Sequence, residues 1–455
     1  MTVATEPRTP SWHSRPLAEL LRLAAPIAVS MLSYSVMTLV DTLLVGHLGP
    51  AALAGVGLGG TSAFMLVCFW FGMFRGVKTL VAQAVGAGRR DRVNAYRAVA
   101  LTTAVVAGVA TIAVGQAIAG LLLHVAATPA SGQAACVYLR IRNLAAPMTL
   151  VFAALREVRY GEGDARSPML ASVAANLVNI ALVSLFVFAL GFGVAGAAAA
   201  TAIAQTMEAL LLLALSRSPG WRGRSFEARH FRELWRIGLP TALQFTLENG
   251  SFVLLTSMIA SLSEVEMAAH QIVLQLCQFS FLPAFAVAEA ASVLAGQAVG
   301  ARREALVWRV AWLGLIAASV YTAACSLVFA CGAPLIVAGF TSTAALAAVT
   351  VPLLRTAALF QVSDGANIVA RAVLRGVGDV RFAAVVGVAT AWMMTPPLTW
   401  LIGYRAGLGA RGGWIGLCCE SVLGAALLWR RLQRGRWRRA ADGQPPVDEE
   451  RSIAA

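Results

Sequence analysis

The sequence predicts an all-α integral membrane protein of about twelve transmembrane helices, arranged as two parallel six-helix repeats. Three observations predict it. The chain has 455 residues, 58% hydrophobic and 13% charged, with a mean hydropathy of +0.73. A soluble domain carries roughly twice that share of charge. The first half of the chain returns in the second: Pro26 as Pro240, Gln83 as Gln297, Gly86 as Gly300 and Arg89 as Arg303, each at an offset of 214 (240−26, 303−89). Gly161-Glu162-Gly163-Asp164-Ala165-Arg166 answers to Gly376-Val377-Gly378-Asp379-Val380-Arg381 at an offset of 215. A register held this long marks two fused copies of one unit, which is how many membrane transporters are made. Lastly, long apolar runs alternate with short clusters of arginine.

A span needs about 20 mostly apolar residues. The first copy offers six, near 17–46, 52–74, 98–123, 134–155, 168–190 and 193–216. The second offers six more, near 237–262, 268–298, 306–331, 347–374, 382–404 and 411–430. No alternating strand pattern appears, and irregular backbone is excluded from lipid, so each is read as a helix. An even number per copy makes both copies enter from the same side. The repeats are therefore expected at 1–216 and 237–430, with a connecting loop at 217–236 and a disordered tail at 431–455.

The net charge of +14 is distributed on one side. Arg75, Lys78, Arg89, Arg90, Arg92 and Arg97 follow the second span; Arg156, Arg159 and Arg166 follow the fourth; Arg217 to Arg236 follow the sixth. Arg302, Arg303, Arg375 and Arg381 continue the series, and Arg430 to Arg439 close it, whereas the opposite connections hold little beyond Arg405 and Arg411. The positive-inside rule then places both termini and the central loop in the cytoplasm. It accounts for the basic charge without nucleic acid. The seven cysteines show no paired or metal-ligand spacing and mostly lie in apolar runs, as small core hydrophobes do.

An ionisable group deep in a span costs at least about 2.5–3.5 kcal/mol at mid-helix. Six carboxylates stand in such places: Asp41, Glu208, Glu248, Glu289, Asp364 and Glu420. Arg371, two turns after Asp364, is one of few cations available to them. Carboxylates of this kind take up protons or bind sodium, a hard cation that prefers oxygen ligands. Glu208 and Glu420 occupy matching places in the sixth span of each copy, as pair-formers between helices would. Asp41, Glu248 and Asp364 break the repeat, since their register partners are Leu255, Tyr34 and Thr149. Unlike acids in like helices imply that each half has its own task. Glu289, whose register partner is Arg75, suits either a site or an ion pair. Pro26 and Pro240 sit mid-way along the first span of each copy, where each invites a kink that could gate a cavity. The single lysine, Lys78, lies outside any GxxxxGK[ST] spacing, and HExxH, GxSxG and GxGxxG are absent. Neither ATP hydrolysis nor another enzymatic activity is expected, and no cofactor.

Asp41-Thr-Leu-Leu-Val-Gly-His-Leu-Gly49 after Pro26, Leu80-Val-Ala-Gln83-Ala-Val-Gly86-Ala-Gly88-Arg89 with its repeat Ala295-Gly-Gln297-Ala-Val-Gly300, Asn176 to Asn179, Gly196 to Thr201, and Phe360-Gln361-Val-Ser-Asp364 together resemble the MATE (multidrug and toxic compound extrusion) family over residues 15–430. Glu248 and Asp364 resemble its bacterial NorM branch. The resemblance implies two six-helix bundles forming a V, with cation coupling at Asp41, Asn179 and Thr201 in the N-terminal half and at Glu248 and Asp364 in the C-terminal half; Glu289, charged and deep in a span, is counted as a further cation-coupling candidate there. Relatives commonly carry an aspartate four residues after the asparagine that aligns with Asn179; this chain has Val183. That loss removes a charged ligand and favours protons over sodium. The resulting expectation is a monomeric inner-membrane antiporter. It would export amphipathic, cationic small molecules in exchange for H+ or Na+. A lipid-linked oligosaccharide flippase of the same superfamily would line its cavity with arginine and lysine, whereas the deep charges here are mostly acidic. An integral-membrane enzyme acting on lipid would need a clustered catalytic motif.

Overall fold

The computed structural model describes residues 10, 12–216 and 227–438. Its helices are α1 (Pro16–Gly46), α2 (Pro50–Gly86), α3 (Arg90–Ile118), the short α4 (Leu122–Val125), α5 (Pro129–Asn143), α6 (Ala146–Glu162), α7 (Arg166–Ser184) and α8 (Gly193–Leu215). The second repeat has α9 (Ala228–Ala260), α10 (Glu264–Gly300), α11 (Glu304–Ala338), α12 (Ala344–Gly376), α13 (Val380–Leu398) and α14 (Ala410–Gln433). No strand occurs among the described residues.

Among the described residues, ten helical stretches are long and apolar enough to cross a membrane. The fourth span is built from two shorter helices, α5 and α6, of 15 and 17 residues, joined at Leu144–Ala145. The seventh, α9, carries Gln244, Glu248 and Asn249 in its middle, which lowers its hydropathy. With these two, each repeat supplies six spans.

The duplication is visible in the turns. The fourth span of each repeat ends on a glycine with positive φ, Gly163 at +84° and Gly378 at +94°. The amides that follow reach back alike: Asp164 to the Arg159 carbonyl and Asp379 to the Leu374 carbonyl, both at 2.9 Å. This is a Schellman closure, and only glycine adopts its left-handed position without strain. The two aspartates have diverged. Asp164 caps α7, accepting from the Arg166 and Ser167 amides at 3.0 Å each, whereas Asp379 binds Arg431 at 2.7 Å. Burial pushes the Asp164 carboxyl up, but the Ser167 hydrogen bonds and Arg159 outweigh it and hold it below the ordinary carboxylate range. The fifth span of each repeat ends in a wide turn closed five residues back, Leu190 to Leu185 and Ala406 to Leu401. Such widened turns recur at functional sites.

Two compact units result. One holds Arg22–Val85 and Arg89–Thr246. Within it α2 and α9 approach closely, so that a Cβ on Gly76 would stand 2.8 Å from the Gly238 backbone. The other holds Leu247 onward with Gly86–Gly88 and the first turns of α1. Its core gathers Leu255, Ile259, Val273, Leu354 and Trp414, all essentially inaccessible. In this unit Trp12 donates its indole N–H to Gln297 Oε1 at 2.8 Å.

Two expectations change. The loop expected at 217–236 is shorter, because α9 already begins at Ala228; 217–226 lie outside the described residues. The tail expected as disordered from 431 is ordered through 438, since α14 runs to Gln433 and Trp437 is buried; 439–455 lie outside the described residues. Pro26 and Pro240 lie inside helices that continue on both sides of them.

Candidate functional site

In the first unit, α1 presents Asp41 towards α7. Asn179 of α7 is fully buried. Its amide nitrogen donates to both Asp41 oxygens, at 3.0 and 2.8 Å. The Asn179 carbonyl oxygen is buried and has no hydrogen-bond partner among the described residues. One turn further along α7, Val183 is fully buried in an apolar cluster with Val45, Tyr138, Val187 and Ala197. Thr201 is buried on α8, and its hydroxyl donates to the Ala197 carbonyl of its own helix at 3.0 Å. The structure thus brings Asp41 and Asn179 together and leaves the Thr201 proton engaged elsewhere. Asn176, one turn earlier on α7, donates to Ser33 at 2.7 Å and tightens the same helix pair.

Sequence reasoning missed Arg142. It sits in the last turn of α5, at the break that divides the fourth span. Its guanidinium lies 5.9 Å from the Tyr138 ring centroid. It interacts with Tyr34 and stands within electrostatic reach of Asp41. The available signal was its place inside the apolar run 134–155.

In the second unit, Glu248 of α9 accepts from Arg371 Nη1 of α12 through both oxygens, at 2.8 Å each. Arg371 also reaches Asn367 Oδ1 at 3.5 Å. Asp364, two turns earlier on α12, is within electrostatic reach of Arg371, Glu248 and Glu420. Glu420 of α14 accepts from the Thr395 hydroxyl and feels the Arg371 charge. Three carboxylates therefore surround one guanidinium. Glu289 is not among them. It is buried on α10 and pairs with Arg375 at 3.3 Å. In the first unit the equivalent helix pair is tied at other positions and with the polarity reversed: α2 offers the cation, Lys78, and α6 the acid, Glu157, at 3.8 Å. Glu208 accepts from Ser172 at 2.6 Å and lies within reach of Arg156. Among the described residues no group of three His, Cys, Asp or Glu is placed to hold a metal ion.

The MatE family profile matches residues 26–185 and 240–401. The two matched stretches start 214 residues apart (240−26), the offset of the internal repeat. Two curated relatives, each named probable multidrug resistance protein NorM, cover nearly the whole chain. That of Burkholderia pseudomallei is 31% identical over 446 residues, covering 93% of this chain and 94% of the relative. That of Bradyrhizobium diazoefficiens is 29% identical over 434 residues, with 91% and 92% covered. Among solved structures, a MATE protein crystallised in a bent conformation superposes with a TM-score of 0.86 at 23% identity, covering 94% of this chain and 97% of that one. A MOP superfamily transporter from Pyrococcus furiosus, whose binding pocket is described as of reverse polarity, gives 0.86 at 22% identity, with 93% and 96% covered.

Proposed function

We propose a proton-coupled export cycle for this chain, which belongs to the MatE family. The chain works as a secondary antiporter, moving amphipathic, cationic organic compounds out of the cell. The observation that carries the reading is the Asp41–Asn179 pair: one carboxylate, held by one amide whose own oxygen lacks a donor. Ionised, Asp41 attracts a cationic substrate. Protonated, it loses that attraction and gains an O–H, the donor that Asn179 Oδ1 lacks. The same proton leaves Arg142 without its counter-charge, which repels a cation from Asp41. Proton and substrate thus compete for one carboxylate, and exchange follows without ATP.

A dehydrated sodium ion wants several oxygen ligands with more than one negative charge. The apolar packing of Val183 denies the N-terminal site a second carboxylate. In the C-terminal half Arg371 acts as a built-in counter-cation for Glu248, and Asp364 and Glu420 remain to exchange protons or attract substrate. The protein would act as a monomer in the cell inner membrane with both termini cytoplasmic, as the arginine distribution supports. The test is efflux of a fluorescent organic cation from vesicles under an imposed pH gradient, then under a sodium gradient at fixed pH. Efflux is expected to follow the pH gradient. Efflux that follows sodium alone, and survives collapse of the pH gradient, would overturn proton coupling.

A further inference from the structure

We infer that the adjoining ends of α11 and α14 form a binding site for the phosphate headgroup of an acidic phospholipid. A cleft of about 420 Å³ opens there, lined by Glu304 and Trp308 of α11 and by Gln433, Arg434, Trp437 and Arg438 at and beyond the end of α14. That volume falls within the range of small-molecule sites. Trp437 is 5% exposed and forms the floor. Arg438 is held at the rim, its guanidinium 2.5 Å from Glu304 and 5.7 Å from the Trp437 ring centroid. Arg434 has no acidic partner among the described residues. Glu304 is the one acid lining the cleft against two arginines, so the cleft keeps a positive charge that a phosphate would neutralise. Arg430 and Arg436 stand exposed on the same stretch.

The apolar side of the site separates a lipid from a free phosphate. Trp308, Trp312 and Trp429 form a cluster with ring centroids 5.7, 6.3 and 5.9 Å apart. Trp429 is pinned by donating its indole N–H to the Ala366 carbonyl at 3.0 Å. Trp308 and Trp312 remain 38% and 42% exposed. Indoles in such places mark the membrane–water interface. Below them on α11, at successive steps of four residues, come Ile316 and Val320, 54% and 67% exposed. Residues at that spacing share a helix face. A charged cleft thus sits at the head of an exposed apolar track, which suits the headgroup and the upper part of one acyl chain of a phospholipid. Basic pockets at the cytoplasmic ends of spans bind anionic headgroups for this reason. In the first repeat Asn94 and Ala98 stand at the register of Trp308 and Trp312 (308−214, 312−214). The tryptophans are therefore not required by the fold that both repeats share.

The inference uses the cytoplasmic placement of these ends, but its test needs no transport. The purified full chain in detergent would be mixed with equal amounts of dioleoylphosphatidylglycerol and dioleoylphosphatidylcholine, and bound lipid read by native mass spectrometry. Phosphatidylglycerol should be retained preferentially. Arg434→Ala with Arg438→Ala should lower its retention on the order of tenfold, and Arg434→Glu alone should lower it too. Arg90→Ala with Arg92→Ala, at the corresponding end of α3, should not. In a second measurement, brominated phosphatidylglycerol should quench part of the tryptophan emission, and Trp308→Phe with Trp312→Phe should remove that part. Equal retention of both lipids, unchanged retention in the arginine variants, or full displacement by millimolar inorganic phosphate would overturn the proposal. Failure here would leave the antiport reading standing, and failure of the vesicle test would leave this site standing.

Discussion

The two halves hold their first-span acids in different ways. Asp41 of α1 is gripped by a neutral amide, Asn179, with Arg142 nearby. Glu248 of α9 is gripped by a guanidinium, Arg371, through both oxygens. The acids also stand at different heights, since Glu248 has Tyr34 as its register partner, two turns before Asp41. Another feature has stayed the same. Arg156 and Arg371 are register partners (371−215), as are Glu208 and Glu420 (420−208 = 212). In each half that arginine of the fourth span lies within reach of that glutamate of the sixth. The duplicated unit therefore carries one inherited tie between spans four and six. Glu248 and Asp364 have been added around it in the second half only. Both sites therefore hold a cation, but only in the C-terminal half does it bind its acid directly: Arg371 ion-pairs with Glu248, whereas Asp41 is bonded to a neutral amide and Arg142 acts on it at longer range.

The largest effect should come from removing the single N-terminal charge. Asp41→Asn keeps the size and hydrogen-bonding capacity of the side chain but abolishes the titratable group. The variant should reach the membrane normally and lose nearly all efflux. Near-normal drug resistance in cells with wild-type amounts of Asp41→Asn would show that the half with the simpler site is dispensable for export.

Next in size is the counter-cation of the other half. Arg371→Ala leaves Glu248, Asp364 and Glu420 facing one another without a guanidinium. Removing one partner of a largely buried pair costs about 3 kcal/mol or more, so thermal unfolding in detergent should fall by several degrees. Adding Glu248→Gln should restore much of the loss, since the acid that Arg371 binds most directly is then neutral. Purely additive effects of the two changes would show that the pair is not the stabilising contact. Arg142→Ala should act differently. Asp41 keeps its amide partner, so stability should change little, while efflux should become less steep in its dependence on pH.

Much of this was legible in the sequence and some was not. The internal repeat paired the two halves and matched Gly163 with Gly378 at an offset of 215, because a backbone position that needs positive φ can return with the unit, and the length of the apolar runs placed the spans. Charge in apolar runs pointed to Asp41, Glu248, Asp364 and Glu420. Spacing along one helix placed Arg371 beside Asp364, but its hydrogen bonds go to Glu248, 123 residues away, and such a partner depends on how α9 and α12 pack. Glu289 was grouped with the C-terminal acids because it is buried and charged; its pairing with Arg375 comes from the packing of α10 on α12. Arg142 lies inside the apolar run 134–155, but its approach to Asp41 depends on how α5 packs beside α1, which the sequence of one span does not state.

Val183→Asp would carry the N-terminal site towards a two-carboxylate arrangement. It inserts an acid into the apolar cluster around Val45 and Val187, so stability without sodium should drop. Sodium should recover part of it, and sodium-driven efflux should appear where the parent shows little. A variant whose stability and efflux both ignore sodium would show that Val183 does not set the choice of ion.

The smallest effect concerns a turn where the halves differ by one side chain. After the second span, Gly88 turns the chain with φ +72°, and Arg302 at the same register turns it with φ +57°. Arg302 is the one non-glycine with positive φ among the described residues. Both turns make the same closing bond, Arg89 to the Ala84 carbonyl and Arg303 to the Ala298 carbonyl, each at 2.9 Å. Left-handed backbone costs an L-residue roughly 1–2 kcal/mol, and glycine escapes that cost while losing more chain entropy on folding. Arg302→Gly should therefore stabilise the protein by less than about 1 kcal/mol, and Gly88→Arg should destabilise it by about 1 kcal/mol. Thermal unfolding of both variants in the same detergent reads the two signs. Opposite signs would show that the equivalent turns differ in backbone strain. A loss in both variants would mean that the Arg302 side chain does more for the second half than its strain costs.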